Sequence, residues 1–372
     1  MVKEVDFTTL ERLYDEFLDF YLVEYKRITP KRFGIDKIKN LSTKLIEDVY
    51  WNYERKSFFN FSLILRDFWF YSDPFIVMKK FNLDIEPILV FLKFLKRSKI
   101  ARIGSNKVKF NIDFSSIFIK PSNKDEIIRI IEKRFGGINL NKSVLENIGY
   151  RYSWKENFDQ IPITLRSAIL VSSEITKYFP FNTSFLFIGA DDFIYFILKS
   201  INPKMEISVL DIDKNLITLI EEISKHLGLS FEFLNMDIRD GVLKKKFLGT
   251  FCNPPYTLDG IVSFLSFSSS AISKKGGVNF LIFGDECIGN RMLFLQSFFS
   301  RKNLIIRKII SRKISYIFQN IYKEDRLMEK ISRAVGLELR NREYISASLY
   351  VLEKIPFKVK KIKINGEIYS YL

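Results

Sequence analysis

Residues 184–213 read SFLFIGADDFIYFILKSINPKMEISVLDID. A short apolar run stops at Gly189, two aspartates follow, and an apolar stretch of helical length leads to an Asn-Pro turn. A second apolar run then ends in Asp-Ile-Asp. The spacing predicts a strand running into a glycine turn, a helix, and a second strand. The same alternation continues outward. TLRSAILVSSEITKYF, upstream, reads as a helix, and downstream come KNLITLIEEISKHLG (helix), SFEFLNMDIRD (strand), GTFCNPPY (strand and loop), LDGIVSFLSFSSSAIS (helix) and GGVNFLIFGDE (strand). Helix and strand in turn from Ile161 onward imply a parallel sheet with helices on both faces, whose ligands sit at the C-terminal ends of the strands.

The front half has a different pattern. Residues 1–50 alternate charged and apolar positions at helical spacing and read as a helical lead-in. From Trp51 to Asp113, three short helices are expected, with Asp73 and Asp84 at helix starts, followed by two short strands around a Gly-Ser-Asn turn. That order is winged-helix-like. Such a module can place its third helix in a DNA groove. The third helix here, PILVFLKFL, is so apolar that packing or dimerisation is favoured, with the KFLKRSK charges as a solvated face. KDEIIRIIEKRFG predicts a helix closed by Gly136 and Gly137, and a connection runs to Trp154. The expected organisation is therefore α/β: a helical, winged-helix-like domain over 1–154, then a Rossmann-like domain over 155–372. The tail from Ser346 reads as strands with a polar end.

A chain of 372 residues suits two domains. Two cysteines, Cys252 and Cys287, and a single histidine, His226, argue against a zinc site, a Cys-His nucleophile and a Ser-His-Asp triad, and no metal is expected. The charged start and the lack of an apolar run of membrane-spanning length point to a cytoplasmic protein without membrane contact. The net charge of +16 keeps nucleic acid in view as a partner.

Four strand ends carry the chemistry. Gly189 supplies the turn after the first strand; Asp211, with Asp213 in the same VLDID, ends the second, where an acid bonds ribose hydroxyls. Asp237 ends the third and can accept from an adenine amino group, and a fourth carries Asn253-Pro254-Pro255-Tyr256. Together they predict a site for a nucleoside sulfonium of the S-adenosylmethionine type, and so a Rossmann-like catalytic domain of S-adenosylmethionine-methyltransferase type over 155–372. A ligand that keeps its methionine carboxylate would meet Asp191 and Asp192 at close range, and like charges repel more strongly in a low dielectric. A decarboxylated ligand ends in a bare ammonium and suits the pair. Helix capping is the competing role for either aspartate. The strand-end face also gathers Asp240, Asp285 and Glu286, with Asp159 just ahead, which suits a polyamine better than a phosphate backbone.

At these residues the chain resembles the branched-chain polyamine synthase family, the N4-bis(aminopropyl)spermidine synthases of thermophiles. The matching stretches are FDQIPIT (Phe158 to Thr164), IGADD (Ile188 to Asp192), VLDID (Val209 to Asp213) and NPPYTLDGIVSFLS (Asn253 to Ser266). The resemblance implies aminopropyl transfer from decarboxylated S-adenosylmethionine to the central secondary amine of spermidine, with methylthioadenosine released and no cofactor permanently bound. Where the family's glycine loop reads Gly-Asp-Asp-Asp, this chain has Ala190 at the first Asp, and the family's Asp-Pro-Pro is Asn253-Pro254-Pro255. Asp192 is expected as the base and Asp191 as the partner of the aminopropyl ammonium. Asn253 and the Pro254 carbonyl would accept from the attacking nitrogen, and Tyr256 would wall the pocket. Asp159, with Gln160 beside it, would pair with an acceptor ammonium, as would Glu286. A homodimer is expected. Two rivals remain: a nucleic-acid amino-methyltransferase that stacks a flipped base on Tyr256, and a non-enzymatic DNA-binding protein whose sheet domain senses a polyamine or nucleoside.

Overall fold

The computed structural model describes residues 3–4, 6, 8–20, 58–81, 85–104, 107–118, 121–135, 155, 158, 160–179, 183–274, 276–317 and 343–355. Asp84, Asp159, the Ser105-Asn106 turn, Gly136-Gly137 and the tail beyond 355 lie outside the described residues.

In the front half, α1 (Phe58–Tyr71), α2 (Pro74–Phe81) and α3 (Ile85–Arg97) are followed by an antiparallel pair, β1 (Ala101–Gly104) and β2 (Lys107–Phe110). Asp73 starts α2 as expected: its carboxylate accepts from Phe75 N at 2.8 Å, and Pro74 takes the first helical position. These helices share an aromatic-rich core with residues 8–20, where Phe17 contacts Phe61, Phe91 and Phe94. Next comes α4 (Lys124–Phe135). Its Ile127 and Ile131, with Leu63 of α1, lie in the same buried cluster as the sheet domain.

The sheet domain runs α5 (Leu165–Tyr178), β3 (Ser184–Ile188), α6 (Ile194–Ile201), β4 (Glu206–Asp211), α7 (Lys214–His226), β5 (Glu232–Asn235), β6 (Gly249–Cys252), α8 (Leu258–Ala271) and β7 (Gly277–Phe283). It continues with α9 (Met292–Arg301), β8 (Leu304–Ile317) and β9 (Glu343–Lys354). Seven strands lie in the order β8-β9-β7-β6-β3-β4-β5. The five from β7 to β5 are parallel, and β9 is antiparallel to both of its neighbours. The sheet is thus mostly parallel and of α/β type, as the alternation of helix and strand predicts. Side chains of a strand alternate between faces, so Phe185 and Phe187 of β3 pack into the core on one side while Leu186 and Ile188 pack into the core on the other. Both faces of β3 and β7 are covered, which explains their uninterrupted apolar sequences.

Among the longer elements, α9 and β8 were not anticipated from sequence. In β8, LIIRKIISRKISYI, the pairing register with β9 shifts between Ile310 and Ile314, and Arg312 sits at φ 52°. A bulge of this kind re-aims the residues beyond it. Here those residues are Ser315 and Tyr316, and they reach the strand-end face. Among the described residues, no helix is long and apolar enough to cross a membrane and no cluster of metal-ligating side chains forms.

Candidate active site

The glycine loop is tied to the neighbouring strand by its backbone. Gly189, at φ 93°, occupies a backbone conformation that L-side chains avoid, and its N–H donates to Leu210 O at 2.9 Å. The next N–H, that of Ala190, donates to Asp211 Oδ2 at 2.8 Å, and Asp211 Oδ1 accepts from Asp213 N at 2.7 Å. Asp211 thus holds two loops in register while still lining the cleft, and burial pushes its carboxyl above the usual range. The Ala190 methyl is buried in the sheet core, and its carbonyl accepts from Tyr195 OH at 2.8 Å. A side chain at position 190 therefore starts inside the protein rather than in the cleft.

Asp192 is buried, with 4% of its surface exposed. Its Oδ1 accepts from Ile163 N at 3.0 Å and its Oδ2 from Asn253 Nδ2 at 3.1 Å. Burial raises its pKa to about 6, and these two donors hold it from rising further. The carboxylate is not taken up by capping: the N-cap of α6 is Phe193, which has no side-chain cap.

The NPPY loop is shaped by the start of α8. Thr257 is the N-cap and accepts from Gly260 N at 3.0 Å. A Cβ at Gly260 would fall 2.7 Å from the Pro255 carbonyl oxygen, so the loop closes over a bare glycine. Gly260→Ala is expected to destabilise the fold by about 1–3 kcal/mol through overpacking and to displace Asn253. Thermal unfolding checks this, and an unchanged melting temperature would show that the loop accommodates the methyl. Asn253 bridges the site: its Nδ2 donates to Asp192, its Oδ1 accepts from Tyr316 OH at 2.9 Å, and Tyr256 OH lies 3.3 Å from the same oxygen. The two tyrosine hydroxyls also share a short hydrogen bond; with one proton each they fill two of these three contacts at a time, and the distances favour Tyr256 donating to Tyr316 and Tyr316 to Asn253. In this arrangement the Asn253 oxygen faces two tyrosines.

A cleft of about 370 Å³ opens over the ends of β3, β4, β5 and β6. Gly189, Asp191, Asp211, Asp237, Asn253 and Gln160 all line it, together with Phe158, Met236, Pro255 and Phe264. Apolar walls with a few convergent acids are what a nucleoside carrying a cationic tail requires. Asp237 is gripped by Arg239, whose Nε reaches both carboxylate oxygens at 2.9 Å, and this contact draws the Asp237 pKa below the usual range.

Other expected site residues stand outside the cleft wall, Asp192 among them, buried behind Asp191 and Asn253, which do line it. Asp213 is the N-cap of α7, accepting from Asn215 N at 3.0 Å; Lys155 Nζ pairs with it at 2.8 Å, and Gln160 Nε2 donates to it at 3.3 Å. Pro254 is buried behind the loop. Glu286 is exposed in the short helix Asp285–Ile288 after β7 and pairs with Arg312. Tyr256 is joined to the site through Asn253 and Tyr316. Sequence reasoning missed Tyr316, Tyr195 and Lys155. The β-branched alternation of β8 was a usable signal for the strand that carries Tyr316, but its bulge was not.

Comparison with known proteins gives three findings. Residues 139–370 match the family described as the branched-chain polyamine synthase A C-terminal domain. An uncharacterised protein of Methanocaldococcus jannaschii is 30% identical over 158 residues, 42% of this chain, and the match spans 39% of that protein's length. Among solved structures, the branched-chain polyamine synthase of Thermus thermophilus, in complex with N4-aminopropylspermidine and 5'-methylthioadenosine, superposes at TM-score 0.49 with 14% identity. That superposition covers 84% of this chain and 92% of that one. A Listeria monocytogenes protein assigned as a class I S-adenosylmethionine-dependent methyltransferase gives 0.41 at 17% identity, covering 61% of this chain and 73% of that one.

Proposed function

The chain belongs to the branched-chain polyamine synthase family, and we propose that it transfers aminopropyl groups from decarboxylated S-adenosylmethionine to the central secondary amine of spermidine or a related polyamine. The observation that carries the reading is the placement of Asp192: a buried carboxylate with a pKa of about 6, held by Ile163 and Asn253 beside a cleft of nucleoside size. A polyamine nitrogen is protonated at neutral pH and must lose that proton to become a nucleophile. Asp192 accepts it. The freed lone pair attacks the propyl carbon next to the sulfonium, and the carbon–sulfur bond breaks with its electron pair staying on sulfur. Methylthioadenosine leaves neutral, and the proton remains on Asp192.

Asp211 and Asp237 hold the nucleoside, and Asp191 faces the aminopropyl ammonium. Holding amine and sulfonium in line contributes most of the rate. Asp159, with Gln160 beside it, pairs with an ammonium of the acceptor, and Glu286 serves as a further ammonium partner on exchanging its contact with Arg312. The front half, read as a winged-helix-like module, serves packing and a homodimer rather than DNA.

The test is incubation of the purified protein with spermidine and decarboxylated S-adenosylmethionine, and in parallel with S-adenosylmethionine plus DNA or RNA, with products read by mass spectrometry. Polyamines heavier by aminopropyl units are expected. Methylated nucleic acid without a new polyamine would instead establish the amino-methyltransferase. By calorimetry the decarboxylated ligand should bind at least tenfold more tightly than the carboxylated one, about 1.4 kcal/mol, because the latter brings a carboxylate toward Asp191 and Asp192. Equal affinities would remove the role given to that pair.

A further inference from the structure

The end of β8 touches both supports of Asp192. On one side, Tyr316 OH donates to Asn253 Oδ1 at 2.9 Å, and the same carboxamide turns its Nδ2 toward Asp192 Oδ2 at 3.1 Å. A carboxamide has one accepting and one donating end, so with the Asp192 carboxylate accepting, a hydroxyl that donates to the oxygen favours the orientation in which the nitrogen faces Asp192. On the other side, Tyr316 forms an antiparallel bridge with Ile163, whose N–H is the second donor to Asp192. Thr164 N donates to Ser315 O at 2.9 Å, and Ser315 N donates to Ser167 Oγ at 2.9 Å, which clamps the two segments together. The bulge at Ser311–Lys313 is what brings Tyr316 to this position.

We propose that Tyr316 is a positioning residue for the transfer: its hydroxyl orients the Asn253 carboxamide so that the amide nitrogen faces Asp192 and stabilises that carboxylate in its ionised form. The catalytic meaning rests on the reading above, while the contact itself does not. Tyr316 can do this at any working pH because burial raises its own pKa well above the usual tyrosine value, so it stays a donor. Tyr256 reaches the same oxygen at the longer distance of 3.3 Å. The titratable groups around Asp192 are Asp191 on its own loop, Asp211 at the end of β4, Tyr195 of α6, Tyr256 and Tyr316. All are acids, and Tyr195 donates to Ala190 O. Among the described residues, the donors to the Asp192 carboxylate are Ile163 N and Asn253 Nδ2.

The experiment is a carbon-13 NMR titration of the full chain with labelled aspartate, the Asp192 carboxyl being assigned by its loss in Asp192→Asn. It needs no turnover. Tyr316→Phe keeps the ring and removes only the hydroxyl. The Asp192 midpoint, near the value of about 6 in the unaltered protein, should rise by about half a unit or more in the variant. In the transfer assay kcat should fall about tenfold and the acid limb of the rate profile should move up with the midpoint, with KM for the polyamine little changed. An unchanged midpoint in Tyr316→Phe overturns the assignment. If the unaltered protein forms no new polyamine, the reading of the reaction fails, and the titration still decides whether Tyr316 acts on Asp192.

Discussion

Asp192→Asn is expected to lower aminopropyl transfer by about 10²–10⁴-fold, the range for losing a general base, and to raise stability above pH 6. Both effects come from one carboxylate. With its pKa raised to about 6 by burial, Asp192 is protonated in acid and ionised at neutral pH. Activity of the unaltered enzyme therefore rises with pH through about 6. In the Asp192→Asn variant the residual activity should lack that limb and follow only the deprotonation of the polyamine itself. Carboxamide for carboxylate is tolerated sterically: Asn253 can turn over to present its oxygen, and the hydroxyls of Tyr256 and Tyr316 can rotate to match.

The stability effect follows from linkage. The native state holds the Asp192 proton up to about pH 6, whereas the unfolded chain releases it near 3.9. Between those values the native state binds more protons, so stability falls as pH rises through the window, by about 3 kcal/mol in full. Replacing the carboxyl by a carboxamide removes that loss. The melting temperature of Asp192→Asn should exceed the unaltered protein's at pH 7.5 and not at pH 4. A variant with intact turnover would show that the proton goes elsewhere. A variant whose stability matches the unaltered protein's at both pH values would show that Asp192 is not held ionised against burial.

Most of the parallel sheet was legible because its signals are local. Buried parallel strands are short apolar runs, the turns carry Gly189 and Asn202-Pro203, and the helix starts carry Thr164, Asp213 and Thr257. The strand-end position of Asp191, Asp211, Asp237 and Asn253 follows from chain order alone. What Asp213 does there does not follow: its carboxylate is turned to Asn215, Lys155 and Gln160, a choice made by residues 53 to 58 positions away as well as by the adjacent helix. Tyr316 was illegible for a related reason. Its aim depends on a bulge in β8 and on pairing with Ile163, about 150 residues earlier, and neither leaves a periodic trace. The Asn253 oxygen shows the same limit. Its motif suggests a substrate-facing acceptor, while the folded chain offers it the Tyr316 hydroxyl first, with Tyr256 behind it.

The second large effect lies far from the chemistry. Arg66 of α1 is fully buried, and its guanidinium closes the C-terminal end of α5: Nη1 donates to Thr176 O at 3.1 Å and Phe179 O at 3.3 Å, and Nη2 to Lys177 O at 2.8 Å. Its Nε donates to Asp67 Oδ1 at 2.9 Å. The last carbonyls of a helix have no partner within it and carry the negative end of its dipole, so a cation there satisfies both. Arg66→Met keeps the aliphatic volume and removes every one of these donors, and breaking a buried charge pair costs about 3–5 kcal/mol. Denaturant unfolding should show a loss of that size. Asp67→Leu added to Arg66→Met should recover part of it, since two apolar residues no longer strand a charge. α5 also carries Ser167, which holds Ser315 next to Tyr316, so transfer activity should fail at a lower temperature in Arg66→Met than in the unaltered protein. A cost below about 1 kcal/mol would mean that the front half does not close α5, and that the two parts of the chain are held together by the apolar packing of Leu63, Ile127 and Ile131 instead.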